Sequence, residues 1–195
     1  MLTAVILAAG ESKRMGSPKA LLLYNDRTFL EHLLDITCHP KIGAQLIVLG
    51  AGAEAISNHV GLKPEQTVVN PDWESGQLSS IKAALKSIGA KPCDGVLLCL
   101  VDHPLITSAL VGELISSFYS SGKSIVLPTF HSKRGHPVIF SSKLFPDLLD
   151  APENTGARSV VWKHAKDVCE IPTGEEGILL NLNDPETFLS ATSHS

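Results

Sequence analysis

Val96-Leu97-Leu98-Cys99-Leu100-Val101-Asp102-His103-Pro104 is the strongest apolar run in the chain, and it stops abruptly at a carboxylate. A continuous run of this kind suits a strand covered on both faces, as in a parallel sheet lying between layers of helices. Shorter runs repeat the pattern on either side. Ala4-Val5-Ile6-Leu7, Leu46-Ile47-Val48-Leu49 and the weaker Val68-Val69 precede it; Ile125-Val126-Leu127, Val138-Ile139-Phe140 and Ile178-Leu179-Leu180 follow.

Helical patterns separate these runs. Phe29, Leu33, Leu34 and Ile36 mark the first, with Thr28 and Glu31 spaced as a capping box. Ile81, Ala84, Leu85 and Ile88 mark a second that ends at Gly89. Leu110, Leu114, Ile115 and Phe118 mark a third that ends near Gly122, and Ala157, Val160, Val161 and His164 a fourth. The alternation predicts an α/β fold: a Rossmann-like, doubly wound, mostly parallel sheet with helices on both faces. In such sheets ligands bind beyond the carboxyl ends of the strands, so the residues just after each strand are the ones to inspect.

Composition narrows the class. The 195 residues are 44% hydrophobic and 18% charged, which suits one domain over 1–195 with a sizeable core and argues against a disordered chain. The net charge of -4, with no long basic run, disfavours nucleic acid as a partner. No segment reaches the roughly 18 apolar residues of a membrane span. The apolar start lacks a basic leader and reads as a first strand rather than a signal peptide. Cys38, Cys93, Cys99 and Cys169 contain no C-x-x-C pair and read as reduced thiols, in keeping with a cytoplasmic protein.

Five segments carry chemistry. After the first strand comes Leu7-Ala8-Ala9-Gly10-Glu11-Ser12-Lys13-Arg14-Met15-Gly16-Ser17-Pro18-Lys19. Small residues admit close approach by a ligand, successive backbone N–H groups can form an anion nest, Arg14 can fork onto phosphate oxygens and Lys19 adds a point charge. The segment is neither a Walker A loop nor a G-x-G-x-x-G turn. Taken alone it also reads as a solvated surface loop. Asp102, at the end of the strongest strand, is placed to hold Mg²⁺ against phosphates, or else to cap a helix starting near Leu105. His103 reads as positional rather than catalytic.

Asn70-Pro71-Asp72-Trp73-Glu74-Ser75-Gly76-Gln77-Leu78-Ser79-Ser80 opens a helix, where Ser75, Gly76 and Ser79 can hold a base or phosphate. It also reads as an ordinary capped helix beside a half-buried Trp73. His131-Ser132-Lys133-Arg134-Gly135-His136-Pro137 is the one dense basic stretch, with Arg134 and His136 as candidates to receive an anionic second substrate. Asn183 or Asp184, after the late apolar run, can supply a second oxygen to Mg²⁺. Asp184, followed by Pro185, better suits an N-cap, which leaves Asn183 as the ligand candidate.

These segments together resemble the MobA-like NTP transferases. The likeness rests on Leu7-Ala8-Ala9-Gly10, Arg14-Met15-Gly16 and Lys19, on Asn70 through Ser79, on Val101-Asp102-His103-Pro104, on Arg134-Gly135-His136-Pro137, and on Asn181-Leu182-Asn183-Asp184-Pro185-Glu186. Within that family the chain is most similar to the molybdenum cofactor cytidylyltransferase group. The resemblance implies a nucleotide-diphospho-sugar-transferase-like fold, an NTP wrapped by the loop from Ala8 to Lys19, and Mg²⁺ on Asp102 and Asn183. It implies transfer of a cytidylyl group from CTP to the phosphate of molybdopterin or its molybdenum form. A molybdoenzyme or its chaperone would be a transient partner.

The chain departs from the group's pattern at His103, where Gln is usual, and at Asn181 and Asn183, where Asp is usual. Ala9 leans towards cytidine over guanosine. The competing readings are a guanylyl transferase or another NTP:sugar- or alcohol-phosphate transferase, and a nucleotide-binding regulator without chemistry. A dinucleotide oxidoreductase is disfavoured by the missing G-x-G-x-x-G.

Overall fold

The computed structural model describes residues 1–12 and 17–182, so the expectations placed on Arg14, Asn183 and Asp184 lie outside the described residues. In chain order the elements are β1 (Leu2–Ala8), β2 (Leu23–Tyr24), β3 (Arg27–Thr28), α1 (Phe29–Ile36), β4 (Ile42–Leu49), α2 (Ala53–Val60), β5 (Thr67–Val69), α3 (Gln77–Ile88), β6 (Gly95–Leu100), α4 (Ser108–Ser121), β7 (Ile125–Phe130), β8 (Lys133–Arg134), β9 (Val138–Ser141), α5 (Phe145–Asp150), α6 (Arg158–Lys163) and β10 (Val168–Pro172).

The large sheet has the order β10-β7-β9-β6-β1-β4-β5, with β8 paired to β7; β2 and β3 form a separate hairpin. β1 pairs in parallel with both β4 and β6, and β4 with β5. β10 runs parallel to β7. β9 is antiparallel to β6 and β7. The expectation of an α/β, mostly parallel sheet with helices on both faces holds, with β9 and the short β8, antiparallel to β7, as the exceptions. The link from Phe130 to Val138 is too short for a crossover, which needs a dozen residues or more, so the chain turns back on itself.

The central strands β1, β6, β7 and β9 are buried on both faces, and alternate residues feed two cores. Ile6, Ala8, Leu97 and Cys99 pack with Leu30 and Leu33 of α1, Ile56 of α2 and Leu110, Val111 and Leu114 of α4. Val5, Leu7, Val96, Leu98 and Leu100 pack with Leu78, Ile81 and Leu85 of α3, Leu148 of α5 and Val160 of α6. This is the period of two expected of strands sandwiched between helices.

Local signals explain most helix ends. The Thr28 hydroxyl accepts from Glu31 N (3.2 Å) while the Glu31 carboxylate accepts from Thr28 N (2.8 Å), the capping box read from the sequence. Gly89 closes α3 and Gly122 closes α4, both with positive φ. One element differs from its expectation. Ile178-Leu179-Leu180 is not a strand; Glu176–Ile178 form a 3-10 turn, and Ile178 is fully buried. The run is apolar because the turn is wedged among other loops. Gly177 lies against Leu105, and the Ile178 carbonyl accepts from His136 N (3.0 Å).

All four cysteines are free, and burial pushes the Cys99 thiol up to about 12. Among the described residues no helix is long and apolar enough to cross a membrane.

Candidate active site

The chain lays β4 and β5 on one side of β1 and then returns to place β6 on the other. Beyond the carboxyl ends of β1 and β6 lies the switch point, where such sheets hold their ligands. β1 delivers Ala9 and Gly10 there, and β6 delivers Val101 and Asp102. A cleft of about 340 Å³ opens at this point, lined by residues that include Leu7, Ala9, Gly10, Ser12, Lys19, Gly76 and Asp102.

Lys19 and Asp102, far apart in sequence, meet inside this cleft. Lys19 Nζ donates to Asp102 Oδ2 at 3.4 Å, with the two side chains 15% and 20% exposed. The approach loop is fixed locally, because Lys19 N donates to the Ser12 hydroxyl at 3.0 Å. Asp102 does not cap the following helix: α4 begins at Ser108 and is capped by Thr107, whose hydroxyl accepts from Leu110 N. The Asp102 carboxylate therefore faces the cleft, while its carbonyl accepts from Leu182 N at 2.9 Å.

The nucleotide-binding candidates divide by strand geometry. Leu7, Ala9 and Gly10 line the cleft, whereas the Ala8 side chain points to the opposite core. Gly76 lines it too. Ser75 is exposed and outside its lining, and the Ser79 hydroxyl is already engaged. That hydroxyl donates towards Asp72 O (2.9 Å) and Gly76 O (2.7 Å) and accepts from Asn70 Nδ2 (2.8 Å), so Ser79 shapes the loop. The wall is completed by Trp73, Glu74, Gln77 and Ser80. Gly50 was not singled out from the sequence, yet it is needed here. A Cβ at Gly50 would fall 2.6 Å from both Ala9 O and Trp73 Cγ, so only glycine lets Trp73 lie against the end of β1. The glycine pair Gly50 and Gly52 closing the second strand was the signal available.

A second cleft, of about 510 Å³, adjoins the first and has both acceptor candidates, Arg134 and His136, in its wall. Arg134 is already paired: Nε and Nη2 lie 2.8 and 2.6 Å from Glu170 Oε1. His136 packs against His103, with ring centroids 5.4 Å apart, and precedes a cis peptide to Pro137. Burial, with a smaller contribution from His103, pushes the His136 imidazole down to about 4, so the ring is neutral at pH 7. Any hydrogen bond it gives a substrate comes from a neutral ring, not from a cation. Burial likewise lowers His103, opposed by the Asp102 carboxylate. His103 is 6% exposed and lies against the backbone of Gly177 and Ile178. Nδ1 of each histidine is buried without a partner among the described residues.

Among the described residues no group of three His, Cys, Asp or Glu side chains could cage a metal. A single carboxylate beside a cation in a cleft suits a hard divalent ion that arrives with phosphate oxygens, rather than one held by the protein alone.

A cleft at the switch point of an α/β sheet, with a lysine and a strand-end aspartate in its wall, suits a nucleotide's phosphates and a divalent ion. The chain matches the MobA-like NTP transferase domain over residues 4–168 and belongs to that family of nucleotidyltransferases. It is 37% identical to a nicotine blue oxidoreductase of Paenarthrobacter nicotinovorans, over 80% of this chain and 79% of that protein. It is 26% identical to the molybdenum cofactor cytidylyltransferase of Escherichia coli K12, over 97% and 95%. Its structure superposes on the crystal structure of Rv0371c from Mycobacterium tuberculosis H37Rv with a TM-score of 0.85, at 27% identity and over 98% and 97% of the two chains. A manganese complex of that same protein superposes at 0.73, with 24% identity over 100% and 99%.

Proposed function

We propose that the protein transfers a cytidylyl group from CTP to the phosphate of molybdopterin or its molybdenum form, releasing pyrophosphate. The observation that carries this reading is the convergence of Lys19 and Asp102 on the cleft beyond β1 and β6. In the reaction an acceptor phosphate oxygen attacks the α-phosphorus of the nucleotide. The new O–P bond forms as the bond from the α-phosphorus to the bridging oxygen breaks, and pyrophosphate carries away the electron pair. No base is needed, because a phosphate monoester is ionised at neutral pH.

The main obstacle is repulsion between two anions in a site of reduced dielectric. Lys19 opposes it with a nearly buried positive charge, and Arg14 is proposed to do the same from the loop. Gly10 has nothing within 4 Å of where a Cβ would stand, so a phosphate can approach the backbone there. Mg²⁺, when bound through Asp102 and, as proposed, Asn183, supplies further charge neutralisation. The manganese complex of Rv0371c supports a divalent ion in this fold. Arg134 and His136 place the acceptor in the adjoining cleft. A cytoplasmic location and a transient molybdoenzyme or chaperone as recipient accompany this reading.

A redox reading is favoured by one observation, the relative named nicotine blue oxidoreductase. The absence of a G-x-G-x-x-G turn weighs against a dinucleotide cofactor. One set of assays separates the two. Pyrophosphate release is measured with CTP, GTP, UTP and ATP in turn, with molybdopterin as acceptor, and NADH or NADPH oxidation is measured with nicotine blue as acceptor. We expect pyrophosphate with CTP above all and no acceptor-dependent loss of NADH or NADPH. Turnover with GTP alone would shift the reading to guanylyl transfer, and reduction of nicotine blue without pyrophosphate would replace it.

A further inference from the structure

The two clefts meet at one side chain. Leu98 and Leu100 occupy alternate positions of β6 and share one face of the sheet, and Asp102 lies in the turn just beyond. Leu98 floors the second cleft, while Leu100 and Asp102 line the first. Across from this face α3 begins at Gln77, and among the described residues Gln77 alone lines both cavities. Its side chain is exposed, and its amide has no hydrogen-bond partner among the described residues.

We infer that the Gln77 amide is a catalytic hydrogen-bond donor at the point of transfer, binding phosphoryl oxygens where the nucleotide in the first cleft meets the acceptor phosphate in the second. This inference deepens, and rests on, the transferase reading. Two substrates lodged in separate cavities can react only where the cavities join. The group at that junction must tolerate two anions at once. A carboxylate would repel both. A neutral amide offers two N–H donors and, unlike a lysine there, does not compete with Lys19 for the Asp102 carboxylate. Donors aimed at charge that develops during transfer raise turnover more than ground-state affinity.

The test compares Gln77→Glu and Gln77→Met with the unaltered protein. Pyrophosphate release is followed from CTP with molybdopterin, and calorimetry gives the affinity for Mg-CTP. Gln77→Glu is nearly isosteric and brings a negative charge; Gln77→Met keeps the length and removes the donors. We expect kcat to fall about 100-fold in Gln77→Glu and at least about 10-fold in Gln77→Met. CTP affinity should stay within about threefold in Gln77→Met, and melting temperatures should be unchanged because the side chain is exposed. Turnover within twofold of the unaltered protein in both variants would overturn the role of Gln77 alone. So would a loss in Gln77→Met confined to CTP affinity. Absence of pyrophosphate release from the unaltered protein with any NTP would instead overturn the transferase reading, and this inference with it.

Discussion

His136 sits where the loop after β8 closes over the turn at Glu176–Ile178, and its chemistry is set by that burial. The unfolded chain binds a proton at this imidazole near its ordinary value of 6.5, whereas the folded chain binds one only near 4. Between those values the unfolded state holds more protons, so stability falls as pH drops from 6.5 towards 4. The penalty is on the order of 2–3 kcal/mol at pH 4.5. His103 is electrostatically linked to His136, so the variant removes the ring together with its effect on His103. His136→Asn is expected to lose less melting temperature between pH 7 and pH 4.5 than the unaltered protein, by roughly 5 °C. Thermal melts across that range check it, and parallel declines would show that His136 is not the group. Asp102 stood out because strand ends in this fold point at ligands, and Lys19 because it closes the small-residue loop after β1. The fate of Ser79 was not: its hydroxyl is consumed by Asp72, Gly76 and Asn70, and nothing in the local sequence says which of several serines will be spent on a turn.

Among the elements, α1 shows how far local chemistry reaches. Thr28 is 1% exposed, and its hydroxyl and backbone N–H both serve the capping box. The same bonds hold the Glu31 carboxyl below its ordinary value, so the stability they give is present at neutral pH and lost as the solution is acidified past 4.5. Thr28→Ala should cost about 1 kcal/mol at pH 7, a fall of roughly 2–4 °C in a thermal melt. Thr28→Ser should recover most of it, and an unchanged melting temperature in Thr28→Ala would remove the box from the account. Elements with one strong face were readable from their spacing, as α3 and α4 were. α2 escaped notice because Ile56 is its one buried residue, and β10 because Glu170 and Pro172 interrupt its apolar character at an edge. Ile178-Leu179-Leu180 misled for the converse reason: burial by loops demands apolar residues as strongly as burial in a sheet does, and a short run does not distinguish them.

At the scale of the molecule, the order of strands does the work that no single segment can. It brings the loop after β1 beside the aspartate after β6 and sets a second cleft along the same face of β6. The alternation of strands and helices made the layered fold legible. The antiparallel insertion of β9 and the contact of the two clefts at Gln77 were not legible, because both depend on which way loops turn in space. The central claim is that Lys19 and Asp102 form one electrostatic site for a triphosphate and its divalent ion. The most direct measurement is the Mg²⁺ dependence of pyrophosphate release from CTP by the unaltered protein and by Asp102→Asn, which keeps the shape of the side chain and removes its charge. The account predicts a turnover lower by at least about 100-fold at saturating CTP, a raised Mg²⁺ requirement and an unchanged melting temperature. Full turnover by Asp102→Asn at the same Mg²⁺ concentration would contradict it.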